Sequence, residues 1–170
     1  KNPNRIAELQ DKLADAPSSD RAALEAQIEF LKKQLGSNRA NVQTQNSSLC
    51  NKLYNNYPDR WLCIANGELN LGVAEIPGPG ANQRILDYAE YTSLTELYTD
   101  DDIPWAGLFV AWVVGQSGAG QFTPPQPARN ASWLKFGQST KEPRPGDLVV
   151  FSAPPPRSGF VGFYMGDSGS

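Results

Sequence analysis

Histidine is absent from all 170 residues, so this chain holds no imidazole to act as a general base near neutral pH. No run of 18 apolar residues occurs, which removes a membrane-spanning helix. The first residues are polar and charged with no apolar h-region, so no signal peptide is visible in the sequence given. A basic excess is lacking too: the formal charge is -3 and the pI is about 5.0, which offers no general attraction to nucleic acid or anionic lipid. Neither metal nor cofactor is expected.

Cysteine is scarce, with only Cys50 and Cys63. Their separation permits a disulfide without requiring one, and two unpaired thiols with Cys63 packed inside fit equally well, so the redox compartment stays open. Proline and glycine together number 29 and crowd into the second half, which implies many turns and short strands there. Hydrophobic residues make up 39% of the chain, with seven Phe, six Tyr and four Trp, enough to build one globular core.

Residues 5–36 differ from the rest, being rich in Ala, Leu, Lys, Glu and Gln with Phe30 the only aromatic. Ile6, Leu9 and Leu13 recur at helical spacing, as do Leu24, Ile28, Leu31 and Leu35 after the break at Ala16-Pro17-Ser18-Ser19. Pro17 stops the first helix, and Gly36 is suited to cap the second. The pattern predicts a helical hairpin over residues 1–36 with a narrow a/d seam. Its stripe of Leu24, Ile28, Leu31 and Leu35 either lies on the chain's own domain or meets another subunit. Residues 37–48 are Asn, Gln and Ser-rich and read as a polar linker.

From residue 49 onward a mixed domain is expected. Trp61, Leu62, Ile64, Ala65, Leu69 and Leu71 form a helical face ending at Gly72, and Ile85, Leu86, Tyr88 and Ala89 suggest a second short helix. The Pro/Gly stretch at 75–80 predicts a surface loop. Residues 105–114 are apolar nearly all round and predict a buried central helix behind Pro104. A short turn or helix is expected at 132–136. Leu148-Val149-Val150-Phe151 reads as a strand, residues 153–158 as a turn, and 160–165 as the antiparallel partner. Helices first and strands afterwards point to an α+β fold.

Several ordered strings carry a resemblance. Trp61-Leu62 through Glu68-Leu69, then Gly72-Val73-Ala74-Glu75-Ile76-Pro77-Gly78-Pro79-Gly80-Ala81-Asn82 and Ile85-Leu86-Asp87-Tyr88, resemble the opening of CHAP-like, NlpC-related cysteine peptidoglycan amidases and endopeptidases of phages and bacteria. Ile103-Pro104-Trp105-Ala106-Gly107-Leu108-Phe109-Val110 is similar to their nucleophile helix. Arg144-Pro145-Gly146-Asp147-Leu148-Val149-Val150-Phe151 and Gly159-Phe160-Val161-Gly162-Phe163-Tyr164 are similar to their first core strands.

That resemblance implies a papain-like domain at residues 49–170, with the central helix on an antiparallel sheet. It also implies further strands and a Gly-Gly-Asn-type segment that the sequence, ending at Ser170, does not include. The family's nucleophilic cysteine falls on Ala106 and its histidine base on Phe160. Alanine cannot attack a carbonyl and phenylalanine cannot accept a proton, so no catalytic residue is intact. What remains is a vestigial cleft of Trp105, Ala106, Gly107, Gly159 and Phe160.

The resemblance therefore implies an inactive relative serving as a structural or binding component of a phage particle or a cell-envelope-facing assembly. Its expected partners are other protein subunits, through the hairpin and the open sheet edge at 160–165, and peptidoglycan. Such a chain would be made in the cytoplasm and act in the virion or at the cell exterior. The alternative is an active or experimentally inactivated peptidoglycan hydrolase, such as an endolysin or virion-associated lysin; a decoy that occupies an active relative's substrate is a third.

Other candidates are read structurally. Asp100-Asp101-Asp102 lacks the ligand spacing of a calcium loop and reads as a solvated charge run. Asp147 reads as a cap on local N–H groups. Glu68 and Glu75 have nothing beyond their type to recommend them as a glycosidase pair. Asn130-Ala131-Ser132 fits the glycosylation sequon incidentally.

Overall fold

In the computed structural model, residues 4–76, 81–151 and 159–167 are described, with side chains omitted at 4–6 and 34–40. Helix α1 spans Asn4–Ala14 and α2 spans Ser18–Leu53. Then follow α3 at Tyr57–Asn70, α4 at Gln83–Tyr91 and α5 at Ala106–Val114. A π turn at Gly115–Ala119 and short 3-10 turns at Gly120–Phe122 and Asn130–Lys135 lead to strands β1, Leu148–Phe151, and β2, Phe160–Phe163. The expected turn at 153–158 and most of the expected loop at 75–80 lie outside the described residues.

The chain divides into two units, Lys1–Val42 and Gln43–Ser170. In the first, Leu9 and Ile28 are buried, one from each arm, as an antiparallel hairpin requires when its seams face. Leu24 and Leu31 are half-buried, and the side chain of Leu35 is outside the described set. The polar linker expected at 37–48 is not a linker: α2 runs unbroken through it and past Gly36 to Leu53. Asn, Gln and Ser each cost a helix only about 0.5 kcal/mol relative to Ala, which packing and cross-linking can offset. The cross-link is a disulfide between Cys50 of α2 and Cys63 of α3. Both thiols expected as alternatives are thereby consumed.

The second unit is built around α5. Leu108, Val110, Ala111, Val113 and Val114 are fully buried, so this helix is apolar on every side because neighbours cover every side. It packs against α3, α4, the π turn and β2. Two caps fix its neighbours: Asn56 accepts from the Asp59 N–H at 2.9 Å to start α3, and Asn82 accepts from the Arg84 N–H at 3.0 Å to start α4.

β1 and β2 pair antiparallel, with Leu148 opposite Phe163 and Phe151 opposite Phe160. The ladder continues through Tyr164 N–H to the Asp147 carbonyl at 2.8 Å. Asp147 also accepts from the Arg144 N–H at 2.7 Å, which is the local cap its position suggests. Gly146, at φ +94, turns the chain where a Cβ would come 2.6 Å from the Pro58 carbonyl. Its own carbonyl accepts the Trp61 indole N–H.

The pairing of these strands is as expected, but the papain-like α+β fold is not what forms. The protein is mostly helical, and its only sheet among the described residues is this two-stranded ribbon. Two four-residue strands cannot supply a sheet layer, so the core is helix on helix with the ribbon as one wall.

Candidate functional site

Ala106, the position matched to the nucleophile, is the first residue of α5. Trp105 precedes it, its indole N–H donating to Glu75 Oε1 at 2.9 Å and its ring centroid 6.2 Å from those of Tyr88 and Phe109. Gly107 is buried, and a Cβ there would collide with the Pro127 carbonyl, so glycine is what allows the 127–128 backbone to lie against the helix. That backbone is fixed from the other side by the Trp133 indole N–H, 2.9 Å from the same carbonyl.

Asn130, 6% exposed, donates to the Gly159 carbonyl at 3.1 Å and so ties this segment to the start of β2. A hollow of about 370 Å³ lies here, lined by Tyr98, Pro104, Ala128, Arg129, Asn130 and Ala131. The Tyr98 hydroxyl donates to the Pro104 carbonyl at 3.3 Å, and burial pushes its phenol above the ordinary pKa. An Asn held inward in this way is poorly placed to accept a glycan.

Gly107 meets the 127–128 backbone and Asn130 holds Gly159, but none of Trp105, Ala106, Gly107, Gly159 and Phe160 lines the hollow, and none of the five is a nucleophile or a base. Ala106 offers a half-buried methyl group. Phe160 is 53% exposed, and its ring lies over Gly162, where a Cβ would meet Cε1 at 2.8 Å. Neither cysteine is free. The hollow can hydrogen-bond through Arg129 and stack through Tyr98, but it contains no nucleophile and no base.

A second cluster escaped the sequence reading. The Glu68 carboxylate receives Arg84 Nε and Nη2, each at 2.9 Å, and the Tyr88 hydroxyl, all of them buried. The Arg84 guanidinium also sits 4.4 Å from the Trp112 ring centroid. Burial opposes the Arg84 charge, but the facing Glu68 outweighs it and holds the guanidinium above its ordinary pKa. Burial, then Glu68, push the Tyr88 phenol well above its usual range. With three donors on one carboxylate, this is a clamp joining α3, α4 and α5, not a catalytic acid. Its signal was legible: Glu68 continues the Trp61, Ile64 stripe at helical spacing, where a lone carboxylate needs a buried partner.

The acidic triplet corrects a second reading. Asp102 is exposed and Asp100 half-buried, but Asp101 is fully buried, not solvated. Its Oδ2 accepts the backbone N–H groups of Ile76 at 2.9 Å and Asn82 at 2.8 Å. Burial alone would raise this carboxyl's pKa, but those N–H donors outweigh it and hold the pKa below its ordinary value. Asp101 therefore ties Ile76 to Asn82, next to Glu75, the acceptor for Trp105.

Comparison with protein-family models, curated proteins and solved structures finds no match for this sequence.

Proposed function

We propose that this chain is a catalytically inactive relative of the cysteine-dependent cell-wall amidases and peptidases, retained as a structural or binding component of a virion or a cell-envelope-facing assembly. The relationship rests on the ordered strings between Trp61 and Tyr164, not on a shared sheet architecture. One observation carries the loss of chemistry. Ala106 heads α5, and the only two cysteines of the sequence are joined to each other, so no thiolate can be generated at the cleft or elsewhere in the chain. A hollow that keeps Arg129 and Tyr98 but no nucleophile suits holding a ligand or a neighbouring subunit, not cleaving one.

The test is dye release from labelled bacterial cell walls, run beside retention on purified peptidoglycan. No release above buffer is expected. Release that disappears on Trp105→Ala would overturn the reading of an inactive site. Tight retention of the isolated monomer on peptidoglycan would replace the assembly role with a wall-binding one.

A further inference from the structure

The part of α2 that belongs to the second unit, residues 43–53, turns a polar face inward. Gln43, Ser47 and Cys50 on that face are 2%, 5% and 0% exposed. Both polar atoms of Gln43, the Ser47 hydroxyl, Asn46 Nδ2 and Asn51 Oδ1 are buried without a hydrogen-bond partner among the described residues. Asn46 lies directly on α3, since a Cβ at Gly67 would come 2.1 Å from its Nδ2. Taking such groups out of water without pairing them opposes the very contact in which they sit.

Little apolar burial offsets this. Among the described residues, Cys50 is the only α2 side chain that joins the hydrophobic core around α5. Asn51 Nδ2 adds a bond to the Gln116 carbonyl at 2.9 Å. Local preference does not hold the segment either: Thr44, Asn46, Ser47, Ser48, Cys50 and Asn51 are all weak helix formers, and a helix this short is marginal alone in water. What fixes residues 43–53 to α3 is therefore the covalent bond from Cys50 to Cys63.

The two sulfurs differ in access. Cys50 is fully buried whereas Cys63 is half-buried, so an incoming thiolate reaches Cys63 Sγ first. That attack forms a mixed disulfide with Cys63 and expels Cys50 as the thiolate; the second thiol of a dithiol reductant then closes its own ring and releases Cys63. Two electrons and two protons pass to the protein, leaving two cysteine thiols and a cyclic disulfide on the reductant. We infer that the Cys50–Cys63 pair is a redox latch, whose reduction by a dithiol frees residues 43–53 from α3 while the core around α5 stays folded. This stands independently of the proposed function.

Amide hydrogen exchange of the full chain, with and without a cyclising dithiol at neutral pH, tests it. In the oxidised chain the 46–53 amides are protected. After reduction they exchange at least about 100-fold faster than the Leu108–Val114 amides of α5. Equal loss of protection in both helices overturns the inference, as does unchanged protection at 46–53. Gln43→Leu with Ser47→Ala replaces unpaired polar groups by apolar ones, so in that variant 46–53 stay protected after reduction. Should the pair fail to fold, Ser47→Ala alone slows the exchange of the reduced segment at least about 5-fold. A variant whose segment opens as readily as the parent's would show that the buried polar face does not drive release, and the inference fails.

Discussion

Replacing Glu68 with glutamine leaves the shape of the buried clamp almost unchanged and removes its charge. The carboxylate is 2% exposed and accepts two Arg84 bonds of 2.9 Å plus the Tyr88 hydroxyl. Arg84 itself is 8% exposed, so in Glu68→Gln its guanidinium stays inside the protein with only the partly exposed Asp87 carboxylate, 3.5 Å from Nη1, as counter-charge. Breaking one side of a buried pair costs about 3–5 kcal/mol, whereas removing both sides is often near neutral. That single loss is a large fraction of the roughly 5–15 kcal/mol that holds a domain together. The assay is urea unfolding followed by tryptophan fluorescence, to which Trp112, under the guanidinium, contributes. Glu68→Gln and Arg84→Met should each lower stability by several kcal/mol, and the double variant should lose less than the sum by at least about 2 kcal/mol. Additive losses, or a Glu68→Gln chain within about 0.5 kcal/mol of the parent, would refute the assignment of this cluster as a coupled clamp.

Three further outcomes follow from local geometry. The Cys50–Cys63 disulfide closes a loop at a sequence separation of 13, so reduction by a dithiol should lower unfolding free energy by about 3 kcal/mol, read as a shift in urea midpoint; alkylation of either thiol before reduction would contradict the pairing. Because Asp101 is held below its ordinary pKa of 3.8, its stabilisation is full above that value and is lost as pH falls through the lower folded one. Asp101→Asn should therefore destabilise the chain at pH 7 and flatten its acid unfolding below about pH 4, and an unchanged acid profile would show that the two N–H contacts do not matter. Gly107→Ala should cost about 1–3 kcal/mol, since the added Cβ meets the Pro127 carbonyl, and a thermal midpoint equal to the parent's would mean that the 127–128 segment does not lie against α5.

The parts of the fold legible in the sequence share a physical cause. α5 could be read from Trp105 to Val114 because an uninterrupted apolar run has few alternatives once Pro104 marks its edge, and β1 could be read from Leu148-Val149-Val150-Phe151 between two turns. The failures arise where composition and position gave opposite answers. Residues 37–48 look like a linker when averaged, yet Gln43, Ser47 and Cys50 fall on one helical face and Val42 and Leu49 on another. Period, not polarity, was the informative signal there. Asp101 looks like a solvated charge between two others, but what decides its role is the pair of backbone N–H groups brought to it from Ile76 and Asn82, which no local spacing encodes.

The same logic separates the two halves of the cleft. Ala106 and Phe160 were identifiable as unreactive by residue type alone, whereas the contacts that shape their surroundings, Gly107 against Pro127 and Asn130 on the Gly159 carbonyl, depend on long-range packing. Gly107 permits the close backbone approach that shapes the N-terminal end of α5. Glycine in a helix costs about 1 kcal/mol relative to alanine, so Gly107 carries a standing penalty that only the packed 127–131 segment offsets. With glycine at 107 the Pro127 carbonyl can lie against α5, beside the hollow lined by Pro104, Ala128, Arg129 and Ala131.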